Sequence, residues 1–179
     1  MAAQVKTVTA RQEYKCTRCG DLIKPGTKYR YFKPGFRSRI KIRRCMKPEC
    51  TPKMSELDTS KMSGAYAAIE EAEAAVSAAG EVSEVMQAIE DCEAAIRDVQ
   101  DEYEQAVDDT PMLEEQVRPK IDALESFADD LSSFQPEEPD EDTPQDALAK
   151  GTPDIQQELD ELLQQAKEEA LDLLSGLEV

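Results

Sequence analysis

Cys16-Thr17-Arg18-Cys19-Gly20 and, 25 residues further on, Cys45-Met46-Lys47-Pro48-Glu49-Cys50 are the two stretches that decide how this chain is read. Each is a tight pair of thiols. Two such pairs at this separation read as one tetrahedral zinc site with Cys16, Cys19, Cys45 and Cys50 as ligands. Gly20 directly after Cys19 allows the sharp backbone turn that lets a thiol pair grip one side of an ion. The same residues also suit disulfides, an iron–sulfur centre or free redox thiols. Disulfides need an oxidising compartment, and Met1 to Thr9 lacks the apolar core of a secretory signal.

The residues between the pairs form a legible insert. Lys24-Pro25-Gly26-Thr27 is a turn, and Lys28-Tyr29-Arg30-Tyr31-Phe32 has the composition of a strand. Pro34-Gly35 fits the centre of a type II turn. Arg37-Ser38-Arg39-Ile40-Lys41-Ile42-Arg43 alternates, which predicts a second strand with Ile40 and Ile42 inward and Arg37, Arg39, Lys41 and Arg43 outward. A hairpin would then carry the chain from one cysteine pair to the other, with a helix after Thr51-Pro52.

Knuckle, hairpin and ligands leading into a helix resemble the treble-clef and zinc-ribbon fingers over residues 14–58. The resemblance implies one structural zinc on the four cysteines. The departure is the second pair, which has four residues between its ligands where those families usually have two. The overall plan, a small basic finger followed by acidic helices, also resembles small proteins of tailed bacteriophages. That resemblance assigns no activity.

The net charge of −18 hides a division. Residues 1–53 hold 15 Lys/Arg and 3 Asp/Glu (+12), whereas residues 54–179 hold 6 and 36 (−30). Such asymmetry suggests two modules with different partners. The basic residues Lys28, Arg30, Lys33, Arg37, Arg39, Lys41 and Arg43, interleaved with Tyr29 and Tyr31, suit a nucleic-acid surface: cations track phosphates and aromatics stack on bases. They equally suit an acidic protein surface, in cis or in trans, or serve only solubility.

Beyond Ser55 the spacing is helical. Met62, Ile69 and Val76, with Ala65, Ala72 and Ala79, make one heptad-spaced seam. Val82, Ile89, Ile96 and Tyr103, with Val85, Cys92, Val99 and Ala106, make another. Gly80 between them is a bend or a short turn, and the repeat is a coiled-coil signal. Val117, Ile121, Leu124, Ala128 and Leu131 form the next apolar face, with Pro119 predicting a restart or a kink. A short connection at Thr110-Pro111 predicts an antiparallel hairpin. Thr before Pro supplies an N-cap and a first helical residue at several starts. Gln135 to Pro144 is acidic and holds three prolines, a linker composition. The last helix lines up Ile155, Leu159, Leu162, Leu163, Ala166, Ala170, Leu173, Leu174 and Leu177 on one side. This face fits either an extra bundle helix or a tethered surface for a partner protein or a second copy.

The expected organisation is a small α+β zinc finger (1–58), an acidic all-α helical hairpin or coiled coil (59–134), a linker (135–151) and an amphipathic helix (152–179). With no His, every His-based triad, base, haem ligand and mixed Cys/His zinc site is excluded. The paired carboxylates lie where solvated helix surface is expected, and four thiolates leave a zinc ion no open position for water. No catalytic residue and no small-molecule substrate is therefore expected. No apolar run approaches the ~20 residues of a membrane span, so a cytoplasmic protein is expected (host cytoplasm if phage-encoded). Cys92 reads as a small buried hydrophobe. The functional expectation is a non-enzymatic zinc-binding adaptor or regulator. Its basic finger would contact nucleic acid or an acidic protein, and its acidic helices would contact proteins or a second copy. The alternatives are an acidic nucleic-acid mimic that inhibits a DNA- or RNA-binding protein, and a structural coiled-coil component.

Overall fold

The computed structural model describes residues 3–34, 40–137 and 153–177, with side chains of the last helix from 157 onward. Gly35, Phe36, Arg37, Arg39, most of the acidic linker with Thr143-Pro144, and the Ile155 side chain lie outside the described residues. The chain divides into two compact units, residues 1–67 and 68–179.

The first unit is mostly β. A three-stranded antiparallel sheet has the order β1 (Lys6–Thr9), β4 (Lys28–Phe32), β5 (Ile42–Arg44). A second, two-stranded sheet pairs β2 (Tyr14–Lys15) with β3 (Leu22–Ile23). The turn between β3 and β4 forms as expected: Thr27 N donates to Lys24 O at 3.2 Å, and Gly26 takes φ +85° beside Pro25, the pattern of a type II turn. β1 was not anticipated. Its Lys-Thr-Val-Thr pairs in full register with β4, Thr7 opposite Arg30 and Val8 opposite Tyr29.

The second strand of the expected hairpin needs correcting. Among the described residues β5 starts only at Ile42, opposite Phe32, and runs to Arg44, opposite Arg30. Ile40 precedes this ladder and is 68% exposed, so the alternation that was to turn it inward does not reach it. Arg44, beyond the anticipated stripe, is buried instead. A 3₁₀ turn (Pro48–Cys50) and a four-residue helix α1 (Met54–Leu57) follow.

The helical seams match the heptad rows. α2 (Met62–Ala78) and α3 (Val82–Asp109) are separate helices, so the residues around Gly80 are a short turn. All six positions of the first seam, five on α2 and Ala79 directly after it, are buried. On α3, Val85, Ile89, Cys92, Ile96, Val99 and Tyr103 are buried, with Val82 and Ala106 half-buried. Small side chains face one another between α2 and α3: Ala68, Ala72 and Ala75 line a narrow cleft with Ala88, Cys92 and Ala95. α4 (Glu114–Ser132) follows a 3₁₀ turn (Pro111–Leu113) and runs through Pro119 without a restart. Pro119 has no N–H for the Glu115 carbonyl, a loss confined to the solvated start of the helix. α3 and α4 pack antiparallel, since Arg97 pairs with Asp129 at 3.2 Å while Lys120 lies 5.7 Å over the Tyr103 ring. At Thr110-Pro111 the cap is not made as expected: Thr110 closes α3 through its backbone N–H to Ala106 O and Val107 O and offers no side-chain cap.

α5 (Pro153–Leu174) packs on α3 and α4. It buries Ala166, Ala170 and Leu174 and half-buries Leu159, Leu162, Leu163 and Leu173. Its inner face is therefore Ala166, Ala170 and Leu174, flanked by the half-buried leucines. No helix of the described residues is long and apolar enough to cross a membrane.

Leu124, fully buried on α4, anchors this packing. Leu124→Ala is expected to destabilise the helical unit by about 2–5 kcal/mol, whereas Met112→Ala, at a side chain 90% exposed, should change stability by less than about 0.5 kcal/mol. Urea unfolding followed by far-ultraviolet circular dichroism compares the two.

Candidate metal centre

The β2–β3 hairpin presents the first thiol pair. Between its strands Cys16 N donates to Asp21 O at 2.8 Å and Gly20 N to Cys16 O at 3.0 Å. Gly20 takes φ +78°, the left-handed conformation that glycine adopts without strain. The second pair begins where β5 ends: Cys45 follows Arg44 directly, and the 3₁₀ turn closes with Cys50 N donating to Lys47 O. The two loops meet. Cys45 N donates to Cys16 Sγ at 3.3 Å, and Thr17 N donates to Arg43 O at 2.8 Å.

The four sulfurs of Cys16, Cys19, Cys45 and Cys50 lie within 4.8 Å of one another. Cys19 Sγ and Cys45 Sγ are 3.8 Å apart, far beyond a disulfide bond of ~2.05 Å, and all five cysteines are free thiols. Metal–thiolate bonds of ~2.3 Å in a tetrahedron place sulfurs ~3.8 Å apart, so the residues fit one metal ion. Cys16 and Cys50 are buried and Cys19 is exposed. Around them Ala10, Ile23 and Tyr29 complete a small core.

The acidities of the thiols point the same way. Burial pushes Cys16 up, but the backbone amides of Cys19, Cys45 and Arg18 together outweigh it and bring the thiol down to about 6. Burial pushes Cys50 up to about 12, helped by the neighbouring sulfurs. Cys19 receives a lowering hydrogen bond from the Asp21 backbone, yet burial and the Cys16 and Cys45 sulfurs leave it raised overall. Without a cation the cluster therefore accommodates the Cys16 thiolate while holding Cys19 and Cys50 as thiols at neutral pH.

Several arginines fasten the site. Arg18 donates to Glu49 O, Thr51 O and the Glu56 carboxylate. Buried Arg44 bridges Thr17 Oγ1, at 2.8 Å, and the same Glu56 oxygen. The other Glu56 oxygen accepts from Lys53 N at 3.1 Å, the start of α1. Arg30 donates to Cys45 O and Lys47 O. Arg30, proposed from sequence as a nucleic-acid contact, thus also holds the second knuckle.

A concave cleft of about 720 Å³ opens on the tyrosine face of the sheet, lined by Val8, Thr9, Arg11, Tyr14, Tyr29, Tyr31, Lys41 and Arg43. Of the sequence candidates it gathers Tyr29, Tyr31, Lys41 and Arg43. Lys28 and Lys33 are exposed but do not line it. Arg11, Tyr14 and Val8 were missed. The β-branched alternation of Lys6-Thr7-Val8-Thr9 was the signal for the strand that brings Val8 here. Tyr14 and Tyr29 rings are 5.5 Å apart, and the Arg43 guanidinium lies 4.3 Å over Tyr14.

No protein-family model matches this chain, and no curated protein or solved structure shows significant similarity to it.

Because thiols must ionise to ligate, metal binding at pH 7 should release at least the protons of Cys19 and Cys50. Acidification therefore opposes binding, and metal is lost as pH falls. Calorimetric titration in buffers of different ionisation enthalpy measures the count; release of no protons would contradict this description of the site. Cys50→Ser should remove stoichiometric metal.

Proposed function

We propose that this chain is a non-enzymatic zinc-binding adaptor, in which the basic unit contacts nucleic acid and the acidic helical unit contacts proteins. Zinc is the ion that best suits the site. Soft thiolates in a tetrahedral S₄ set select zinc or an iron–sulfur cluster. A multi-iron cluster holds its ligand sulfurs further apart than a single ion does, and the 3.8 Å Cys19–Cys45 spacing matches the single ion. Four protein sulfurs fill a tetrahedral ion's coordination sphere, which supports a structural role. The knuckle on a β-hairpin and the second pair next to a helix start support the treble-clef-like reading.

The observation that carries the nucleic-acid reading is the state of the cleft cations. Acids outnumber bases by 39 to 21 in this chain. Yet among the described residues Arg11, Lys41 and Arg43 make no ion pair, and no acidic side chain lines their cleft. Arg18 and Arg44, by contrast, are committed to Glu56. Unpaired cations on a concave aromatic surface suit a polyanion whose counterions they displace on binding.

The zinc-loaded full-length protein should bind a fluorescent oligonucleotide with an affinity that falls steeply with salt. Removal of the ion by a strong chelator should weaken binding by about tenfold or more, because the segments that carry Lys41 and Arg43 on one side and Tyr14 on the other would be joined through the ion. Undiminished binding by the metal-free protein, or none by either form at low salt, would overturn the reading. Fluorescence anisotropy at two salt concentrations provides the comparison.

A further inference from the structure

We propose that the cleft is a binding site for single-stranded nucleic acid, in which an unpaired base stacks on Tyr31 while Arg11, Lys41 and Arg43 hold the flanking phosphates. This deepens the nucleic-acid reading above and rests on it. Lys6, Tyr31 and Arg43 stand directly opposite one another across β1, β4 and β5, so one half-buried aromatic ring lies in a row between two cations. Tyr29, on the same face of β4, is buried in the metal-centre core and forms the floor. Tyr14 makes a wall and already carries the Arg43 guanidinium at 4.3 Å. Tyr31 makes no ring contact of this kind among the described residues.

The shape selects the strand. Bases in a duplex are stacked on one another and present only their edges, so a recessed tyrosine cannot reach a base face without breaking the stack. An unpaired base can turn into the cleft, and stacking on an aromatic ring tolerates any base because all have a π-face. Arg43 is positioned by the ring rather than by an acid. Its Nε is buried without an acceptor, and no hydrogen bond from its guanidinium to a described residue competes with a phosphate.

The chain has five Tyr and no Trp, and three of the five line the cleft, so intrinsic tyrosine fluorescence reports directly on it. The full-length, zinc-loaded protein is titrated with an oligothymidylate and with a duplex of equal length, each at two salt concentrations, and with polyglutamate. The expected result is quenching of tyrosine emission by the oligothymidylate and affinity about tenfold or more above that for the duplex. Tyr31→Leu should lose about tenfold for the single strand and leave the duplex unchanged, while Tyr31→Phe, which keeps the ring, retains the affinity. The double variant Arg11→Gln/Lys41→Gln alters only exposed side chains and so tests the site without touching the core. It should lower the steepness of the log–log salt dependence by about 1.4 for the single strand. Metal content of each variant verifies folding. Equal binding of both nucleic acids, with no effect of Tyr31→Leu, would overturn the single-strand site and leave the nucleic-acid reading standing. Binding of neither at low salt would overturn both. Polyglutamate bound as tightly as the oligothymidylate would make the cleft an acidic-protein surface and overturn the proposal.

Discussion

Four sulfurs confined within 4.8 Å cannot all carry charge unless a cation sits among them. This constraint organises the basic unit. The first sheet is small and the second has only two strands of two residues each. Such short strands give little burial of their own. The thiols come from two loops far apart in sequence, so an ion on all four ties β2–β3 to the end of β5 and to the turn before α1. Tyr29, Ile23 and Ala10 are buried around this point. The apolar core of the unit is thus in large part the wall of its metal centre, as expected where a domain is too small to fold on hydrophobic burial alone.

A division of labour among the cations follows. Arg18, Arg30 and Arg44 reach inward to carbonyls and to Glu56, binding the second knuckle and α1 to the first. Arg11, Lys41 and Arg43 line the cleft without acidic partners among the described residues. Composition alone counts both sets as one basic patch. Strand direction separates them: on β4, Arg30 shares a face with Phe32, and Tyr31 shares the other with Tyr29. The same alternation on β5 turns Arg44 toward Glu56 and Arg43 toward Tyr14. One-residue differences in position therefore decide whether an arginine fastens the fold or faces the cleft.

Much of this could be read from the residues. The cysteine cluster was legible because two tight thiol pairs at this separation have metal-ligand spacing, and the helical seams were legible because their period is uniform over several turns. Ile89, Ile96 and Tyr103 repeat every seven residues and are all buried. The failures in the basic unit have a common cause: short elements whose pairing is set by contacts distant in sequence. Lys6 to Thr9 is four residues long and acquires its strand character from β4. Ile40 was turned inward by an alternation that begins only where β5 meets Phe32. Arg44 was passed over because its partner, Glu56, lies 12 residues on in a different element. Phe127, buried on α4, was passed over in a face otherwise read correctly. On α5 the apolar row was read correctly, and within it Ala166, Ala170 and Leu174 are buried more deeply than Leu162 and Leu163.

The central claim is that Cys16, Cys19, Cys45 and Cys50 together ligate one zinc ion and that the basic unit is built around it. X-ray absorption at the zinc edge of the purified full-length protein tests it most directly. The account predicts one zinc per chain with a single shell of four sulfurs at ~2.3 Å. A shell containing nitrogen or oxygen in place of any sulfur, or protein that folds without stoichiometric metal, would contradict it.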